Sequence, residues 1–301
     1  MRIALLSRNT ALYSTSRLVL AARARGHEVD VIDPLDLQMV VASGRPRLCY
    51  AGARLPTYHV VIPRIGSKVT RYGSAVVALF EQARIPVLNS SNAIALARDK
   101  VASLMELARH RLKVPATVAM RGLVGVDEAL ELIGGCPAVV KLQQGTHGVG
   151  CMIAESPNAL FSLAETFGAM GREVILQQYI PSPGGDLRAV IVDGRLVGAM
   201  RRRPREGDFR SNLHRGGEPE AVALPRRYKN AAVKAANVLD LDVAGVDMLE
   251  TRDGPVILEV NASPGLEGIE QASEVDVASA IVRAAEVRGP RPRTRRAEAR
   301  A

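Results

Sequence analysis

The chain has 301 residues, 47% of them apolar, and carries a net charge of +9. That length exceeds the roughly 250–300 residues at which single cores stop growing, so two or three subdomains are expected. No apolar run approaches the ~18 residues of a membrane span, and with 3% aromatic residues and no Trp base stacking has little to work with.

The charge is unevenly placed, because residues 288–301 hold six Arg and one Glu, or +5, leaving +4 for the body. Gly289-Pro290-Arg291-Pro292-Arg293 cannot bury apolar area, so 289–301 reads as a disordered basic tail able to touch RNA. Cys49, Cys136 and Cys151 share no metal or redox spacing and read as packing residues in a reducing cytoplasm.

Residues 2–7 read as a buried strand, 16–25 as a helix ended by Gly26, and 28–33 as a strand stopped by Pro34. A strand at 58–62 runs into Pro63-Arg64-Ile65-Gly66, followed by a helix at 71–83 and a short strand at 85–88. This alternation predicts a parallel, Rossmann-like sheet with functional groups beyond the strand C-termini, where Arg64 sits. No Gly-x-Gly-x-x-Gly follows the first strand, which argues against a dinucleotide site there.

A second unit opens with a helix over 98–110 that carries Lys100 in its first turn, then strands near 116–119 and 138–142. Lys141 ends that last strand, and Gln143-Gln144-Gly145-Thr146-His147-Gly148-Val149-Gly150 follows. Glycines so close together let backbone N–H groups approach a phosphate, although a solvated Lys beside a flexible hairpin loop would look the same. His147 and His214 each lack a second ligand at metal spacing and read as surface residues.

The third unit starts with a strand at 174–180 and continues through strands at 187–192 and 195–200, joined by the hairpin turn Asp193-Gly194. Asp186 and Arg188 share a strand face; an exposed cross-strand ion pair is the bland alternative, worth about 0–1 kcal/mol. The run Arg201-Arg202-Arg203-Pro204-Arg205, with Arg210 and Arg215 beyond it, is dense for a solvated face and suits anion binding by guanidinium forks. After a helix at 229–239 comes Val246-Asp247-Met248-Leu249-Glu250, then Ile257-Leu258-Glu259-Val260-Asn261. Glu259 and Asn261, two apart on a strand, point to one spot, and Asp247 is expected from the hairpin neighbour. Hard oxygen ligands without His or Cys suit magnesium held with substrate phosphates.

Together these residues resemble the ATP-grasp superfamily and, within it, the RimK family, from residue 1 to about 287. The likeness rests on Ala97-Arg98-Asp99-Lys100, Lys141 and the glycine-rich loop, Gln177-Gln178-Tyr179-Ile180, residues 206–217, and Asp247 with the run from Glu259 to Glu270. It implies an α/β (α+β) ATP-grasp fold: an N-terminal pre-ATP-grasp domain at 1–97, a central subdomain at 98–173, and a C-terminal metal-bearing subdomain at 174–288. ATP would be held by Lys100, Lys141, Gln178, Tyr179, Ile180, Asp186, Arg210, Ser211 and Asn212. Two Mg or Mn ions would sit on Asp247, Glu259 and Asn261.

The resemblance further implies that Arg203, Arg210 and Asn212 serve the reacting groups, while Arg64, Arg202 and Arg215 hold substrate. The implied reaction adds L-glutamate to the C-terminus of small-subunit ribosomal protein six through an acyl phosphate, in a cytoplasmic homotetramer. Gln144, His147 and Gln178 depart from the family pattern. A related ligase acting on a small molecule or coenzyme, or an ATP-switched RNA-binding protein, are the alternatives.

Overall fold

The structure of the protein is a computed structural model that describes residues 1–42, 44, 46–143, 150–204 and 218–289. The glycine-rich stretch with Gln144 and His147, the segment with Arg205, Arg210, Ser211, Asn212, His214 and Arg215, and the tail beyond residue 289 lie outside the described residues.

The N-terminal unit is built on β1 (Arg2–Leu6), α1 (Tyr13–Ala24) and β2 (Glu28–Ile32). There follow a small antiparallel sheet of β3 (Leu37–Val40), β4 (Arg47–Tyr50) and β5 (Ala53–Arg54), then β6 (Val60–Pro63), α2 (Thr70–Gln82) and α3 (Ser91–Arg98). β2, β1 and β6 pair in parallel, as the strand–helix alternation predicts. The strand expected at 85–88 shrinks to one parallel bridge between Val61 and Val87. The helix expected at 98–110 begins two residues later, and a separate helix, α3, ends at Arg98. Asp99 stays extended, caps the N-terminus of α4 (Lys100–Arg109) by accepting from the Val101 and Ala102 amides, and thereby ends α3.

The central unit is a four-stranded antiparallel sheet. It comprises β7 (Thr117–Arg121), α5 (Val126–Leu132), β8 (Ala138–Leu142), β9 (Cys151–Ala154), α6 (Pro157–Ala169) and β10 (Glu173–Gln178). α5 and α6 cover one face with a separate core of Ile133, Val140, Leu160, Val174 and Leu176 among others.

The last unit holds β11 (Asp186–Val192), β12 (Arg195–Arg203), β13 (Glu218–Ala221), α7 (Arg226–Val238), β14 (Val243–Thr251) and β15 (Gly254–Asn261), then α8 (Glu267–Ser273) and α9 (Val277–Arg288). Its sheet is antiparallel in the order β13-β12-β11-β14-β15. Ala232, Ala235 and Ala236 of α7 pack with Ala189, Ile191 and Val246 in a core that also takes in α2, α3 and α4. Val190, Met200 and Val243 share a second core with α8, α9, α1 and the other side of β1 and β6. The first and last units therefore share both their cores, whereas the central unit has its own. Asn89 adds a polar stitch: its amide donates to the Val243 and Ala262 carbonyls and accepts from the Val243 amide, all at 2.8 Å.

Among the described residues, no helix is long and apolar enough to cross a membrane. None of the three cysteines forms a disulfide.

Candidate active site

One face of the five-stranded sheet changes character along its length. Near α8 and α9 it is apolar; at the other end it carries Asp186, Arg188, Arg202, Asp247, Glu259 and Asn261. Cross-strand partners share a face, and the register pairs Asp186 with Arg202, Arg188 with Asp247, Asp247 with Glu259, and Gly245 with Asn261. A β-bulge makes the fourth approach possible. Between Asp247 and Met248 the register skips Leu258, so Glu259 rather than Leu258 stands opposite Asp247.

Asp186, Arg188, Arg202 and Asp247 form a charge-dense, largely buried group. Arg188 grips Asp247 with Nε on Oδ1 and Nη2 on Oδ2, both at 2.6 Å. Arg202 donates to Asp186 from Nε at 2.7 Å and from Nη2 at 2.5 Å, and its Nη2 also lies 3.0 Å from Asp247. Burial pushes the Asp247 carboxyl up, but Arg188 and Arg202 outweigh it and hold the group below the usual carboxylate range. Asp186 goes the other way: burial raises it, Arg202 opposes, and the charge of Asp247 adds to the rise. Gly185 brings the chain in closely, since with φ +82° an added Cβ would lie 2.0 Å from the Arg202 carbonyl oxygen.

Two lysines approach from the other units. Lys141 Nζ donates to Gln177 Oε1 at 2.6 Å, and Gln177 in turn donates to Thr117 Oγ1 at 2.9 Å. Lys100 Nζ donates to the Gln143 carbonyl at 3.1 Å, while the Gln143 amide reaches Asp99 Oδ1 at 2.8 Å. Burial lowers the Lys100 pKa, the Glu259 carboxylate raises it, and Lys141 and Arg98 lower it again. That coupling ties Lys100 and Arg98 to the face that carries Glu259. Gln178 leaves β10 with its backbone N–H on the Ala116 carbonyl at 2.8 Å, and Tyr179 and Ile180 are half-buried in the strand-to-sheet connection that follows.

Asp247, Glu259 and Asn261 fit a hard divalent cation by donor chemistry. Oδ1 of Asp247 accepts one N–H and keeps a lone pair, and Glu259 is exposed with no hydrogen bond or ion pair among the described residues. No group of three His, Cys, Asp or Glu suited to a metal occurs among the described residues, so such an ion would rest on two carboxylates, one amide and ligand oxygens.

The arginines separate by face. Arg202, expected to hold substrate, joins the cluster with its side chain only 2% exposed and its guanidinium on Asp186 and Asp247. Arg203, expected among the reacting groups, points from the opposite face to Glu220 at 2.8 Å. Successive strand residues alternate, which also sends Arg201 to Glu250. Arg64 stands apart from that run, just past β6, with Nη2 on the Pro264 carbonyl at 2.6 Å. Sequence reasoning missed Gln177 as the Lys141 anchor and Arg188 as the Asp247 clamp. The only signal was position: Gln177 opens the hinge run Gln177-Gln178-Tyr179-Ile180, and Arg188 lies two after Asp186.

A family model described as the RimK-like ATP-grasp domain matches residues 97–285, and one described as the RimK PreATP-grasp domain matches residues 1–94. A relative from Thioalkalivibrio sulfidiphilus, named a probable alpha-L-glutamate ligase, is 48% identical over 283 residues, 94% of each chain. The crystal structure of a RimK domain ATP-grasp protein from Sphaerobacter thermophilus shares the fold, with a TM-score of 0.73 at 24% identity over 95% of this chain and 99% of that one. An ATP-grasp ligase, PsnB, solved with a phosphomimetic precursor variant, Mg and ADP, also scores 0.73, at 21% identity over 95% of this chain and 98% of its own.

Proposed function

Because this chain belongs to the RimK-like ATP-grasp family and is an ATP-dependent, ADP-forming ligase, we propose that it joins the amine of L-glutamate to a protein C-terminal carboxyl, that of small-subunit ribosomal protein six. The observation that carries the reading is the shared face of Asp247, Glu259 and Asn261, electrostatically coupled through Glu259 to Lys100. An acceptor carboxylate attacking a polyphosphate meets like-charge repulsion, so catalysis is largely neutralisation and positioning.

In this reading the acceptor carboxylate oxygen bonds to the terminal phosphorus of ATP as the bond to ADP breaks. The glutamate amine then attacks the acyl carbon, and inorganic phosphate leaves with the amine losing a proton. Lys100 and Lys141 hold phosphate oxygens, Lys141 being aimed by Gln177. Gln178, Tyr179 and Ile180 line the adenine at the hinge. Asp247, Glu259 and Asn261 would hold two Mg or Mn ions, which would supply further charge neutralisation. Arg188 and Arg202 act as positioning residues that orient Asp247 and Asp186. Arg210, Ser211 and Asn212 serve the phosphates and acyl group, and Arg215 the substrate. The setting is the cytoplasm and the assembly a homotetramer.

The test is intact-mass analysis of a peptide carrying the C-terminus of ribosomal protein six, incubated with the enzyme, ATP, magnesium and glutamate. Stepwise glutamyl increments, with ADP release that needs both acceptor and glutamate, are expected. Increments on a small-molecule acceptor alone would replace the acceptor assignment; ADP release with no ligated product would defeat the reading.

A further inference from the structure

Two arginines of the N-terminal unit are held side by side on neutral anchors, without an ion pair among the described residues. Arg64 follows β6, and Arg98 is the last residue of α3. Arg64 Nη2 donates to the Pro264 carbonyl at 2.6 Å, and Arg98 Nη2 donates to the Ile65 carbonyl at 2.7 Å. Both anchors are neutral, and among the described residues neither arginine forms an ion pair. Arg98 Nε is buried without a hydrogen-bond partner, as is Ser263 Oγ, one residue before the carbonyl that Arg64 grips. Burial, with the charge of Arg98 adding to it, pulls the Arg64 pKa down to about 10. Burial lowers Arg98 as well, and the Glu259 carboxylate opposes that shift, which sets the pair beside the candidate metal face.

Two half-buried like charges with an orphan donor between neutral anchors gain from an anion that completes them. We propose that Arg64 and Arg98 form a receptor for a carboxylate of the amino-acid substrates, with Arg98 Nε as its preformed donor. The inference rests on the ligase reading above and adds to it a second arginine and a division of labour. Lys141 stands on the central sheet next to the glycine-rich stretch, where phosphates belong. Arg64 and Arg98 are fixed instead to the N-terminal unit and to the turn after Asn261. A planar guanidinium matches a planar carboxylate in a way an ammonium does not. The carboxylate has two sources: free glutamate, or an acidic residue of the acceptor tail.

The test is steady-state kinetics of Arg64→Gln and Arg98→Gln with ATP, glutamate and an acidic acceptor peptide varied in turn. We expect KM for one amino-acid substrate to rise at least tenfold, with KM for ATP changed less than twofold. A rise confined to glutamate assigns the free amino acid; one confined to the peptide, and absent when its acidic residues are replaced by Gln, assigns the acceptor. An equal rise for ATP, or none for either substrate, overturns the receptor. A second arm needs no ligation: sodium glutarate, at ionic strength matched with NaCl, should raise the Tm of the wild type but not of the double variant. Absence of glutamate ligation by the wild type would defeat the functional reading alone, whereas absence of a glutarate shift would overturn this one. If Arg98→Gln does not fold, Arg98→Lys keeps the charge and reach to Ile65 but lacks Nε, and the same KM comparison applies.

Discussion

On the five-stranded sheet the charges answer one another. Arg188 and Arg202 meet Asp247 and Asp186 in short pairs, and little of the four groups is left to water. Lys141, Arg64 and Arg98 are treated differently, for they lean on a side-chain amide and two backbone carbonyls, all neutral. The first region spends its charge on geometry, fixing the orientation of Asp247. The second keeps its positive charge available, which is what a site for polyphosphate and carboxylates requires. Self-compensated charge positions, and uncompensated charge binds.

The strongest way to break that contrast is to unbalance the compensated group. Arg202→Ala would leave Asp186 buried next to Asp247 without the ion-pair partner it has among the described residues. Removing one member of a buried ion network costs about 3–5 kcal/mol, so urea unfolding should show a loss of that order. The same measurement on Arg64→Gln should show a much smaller loss, because burial already disfavours that charge. Equal losses at the two positions would erase the distinction.

Glu259 links the two regions, being opposite Asp247 and coupled to Lys100 and Arg98. Glu259→Ala should lower kcat by on the order of 10²–10³, the scale of losing one preorganised electrostatic group. Stability should stay within about 0.5 kcal/mol of wild type, since the side chain is exposed. Near-normal turnover at ordinary magnesium would remove Glu259 from the site.

Lys141→Ala should weaken ATP binding by about 1.5–3 kcal/mol, roughly 10- to 100-fold, the scale of a hydrogen bond to a charged group. Lys141→Arg should restore it only in part, because a planar fork replaces a point charge. Calorimetric titration with a non-hydrolysable ATP analogue reads both. Unchanged affinity in the Ala variant would make Lys141 only the partner of Gln177.

Much of this contrast was legible in the chain, and the rest fails for identifiable reasons. The i, i+2 spacing of Glu259 and Asn261 and the alternation of strand and helix in the first ninety or so residues are local patterns, and both correspond to what the fold contains. Cross-strand register is not local. That Arg188 clamps Asp247, or that a bulge at Leu258 brings Glu259 opposite it, depends on how β11, β14 and β15 align. The arginines at 201–203 read as one anion-binding run, yet alternation divides them between two faces with different partners. The helix expected to start at Arg98 starts instead at Lys100, because Asp99 caps it with its own side chain and Arg98 closes α3. Arg98 sits in a quoted motif, but only burial and an unpaired Nε distinguish it from a surface arginine.

The smallest expected effect lies away from the cleft, where the compensated pattern recurs at the surface. Glu286 on α9 receives Arg25 Nε at 2.8 Å and Nη2 at 2.7 Å, and lies 2.7 Å from His27 Nε2, tying the last helix to the end of α1. Its side chain is 26% exposed and Arg25 is 37% exposed, so solvent screens the pair. Glu286→Gln should therefore cost only about 0.5–1 kcal/mol at pH 7 and low salt, and less at high salt. Arg25 first, and His27 after it, hold the Glu286 carboxyl below the usual range against the opposing effect of burial. A depressed folded pKa means that the unfolded chain takes up the proton first. The contribution is thus fully present above the unfolded value of 4.5 and is lost as pH falls through the folded one. Urea midpoints of wild type and Glu286→Gln should differ at pH 7 and converge as pH falls well below 4.5, while KM for every substrate stays unchanged. A gap that persists in acid would mean that packing of α9 on α1, rather than charge, holds the two ends together. A shifted KM would mean that this contact steers the N-terminal arginines as well as anchoring them.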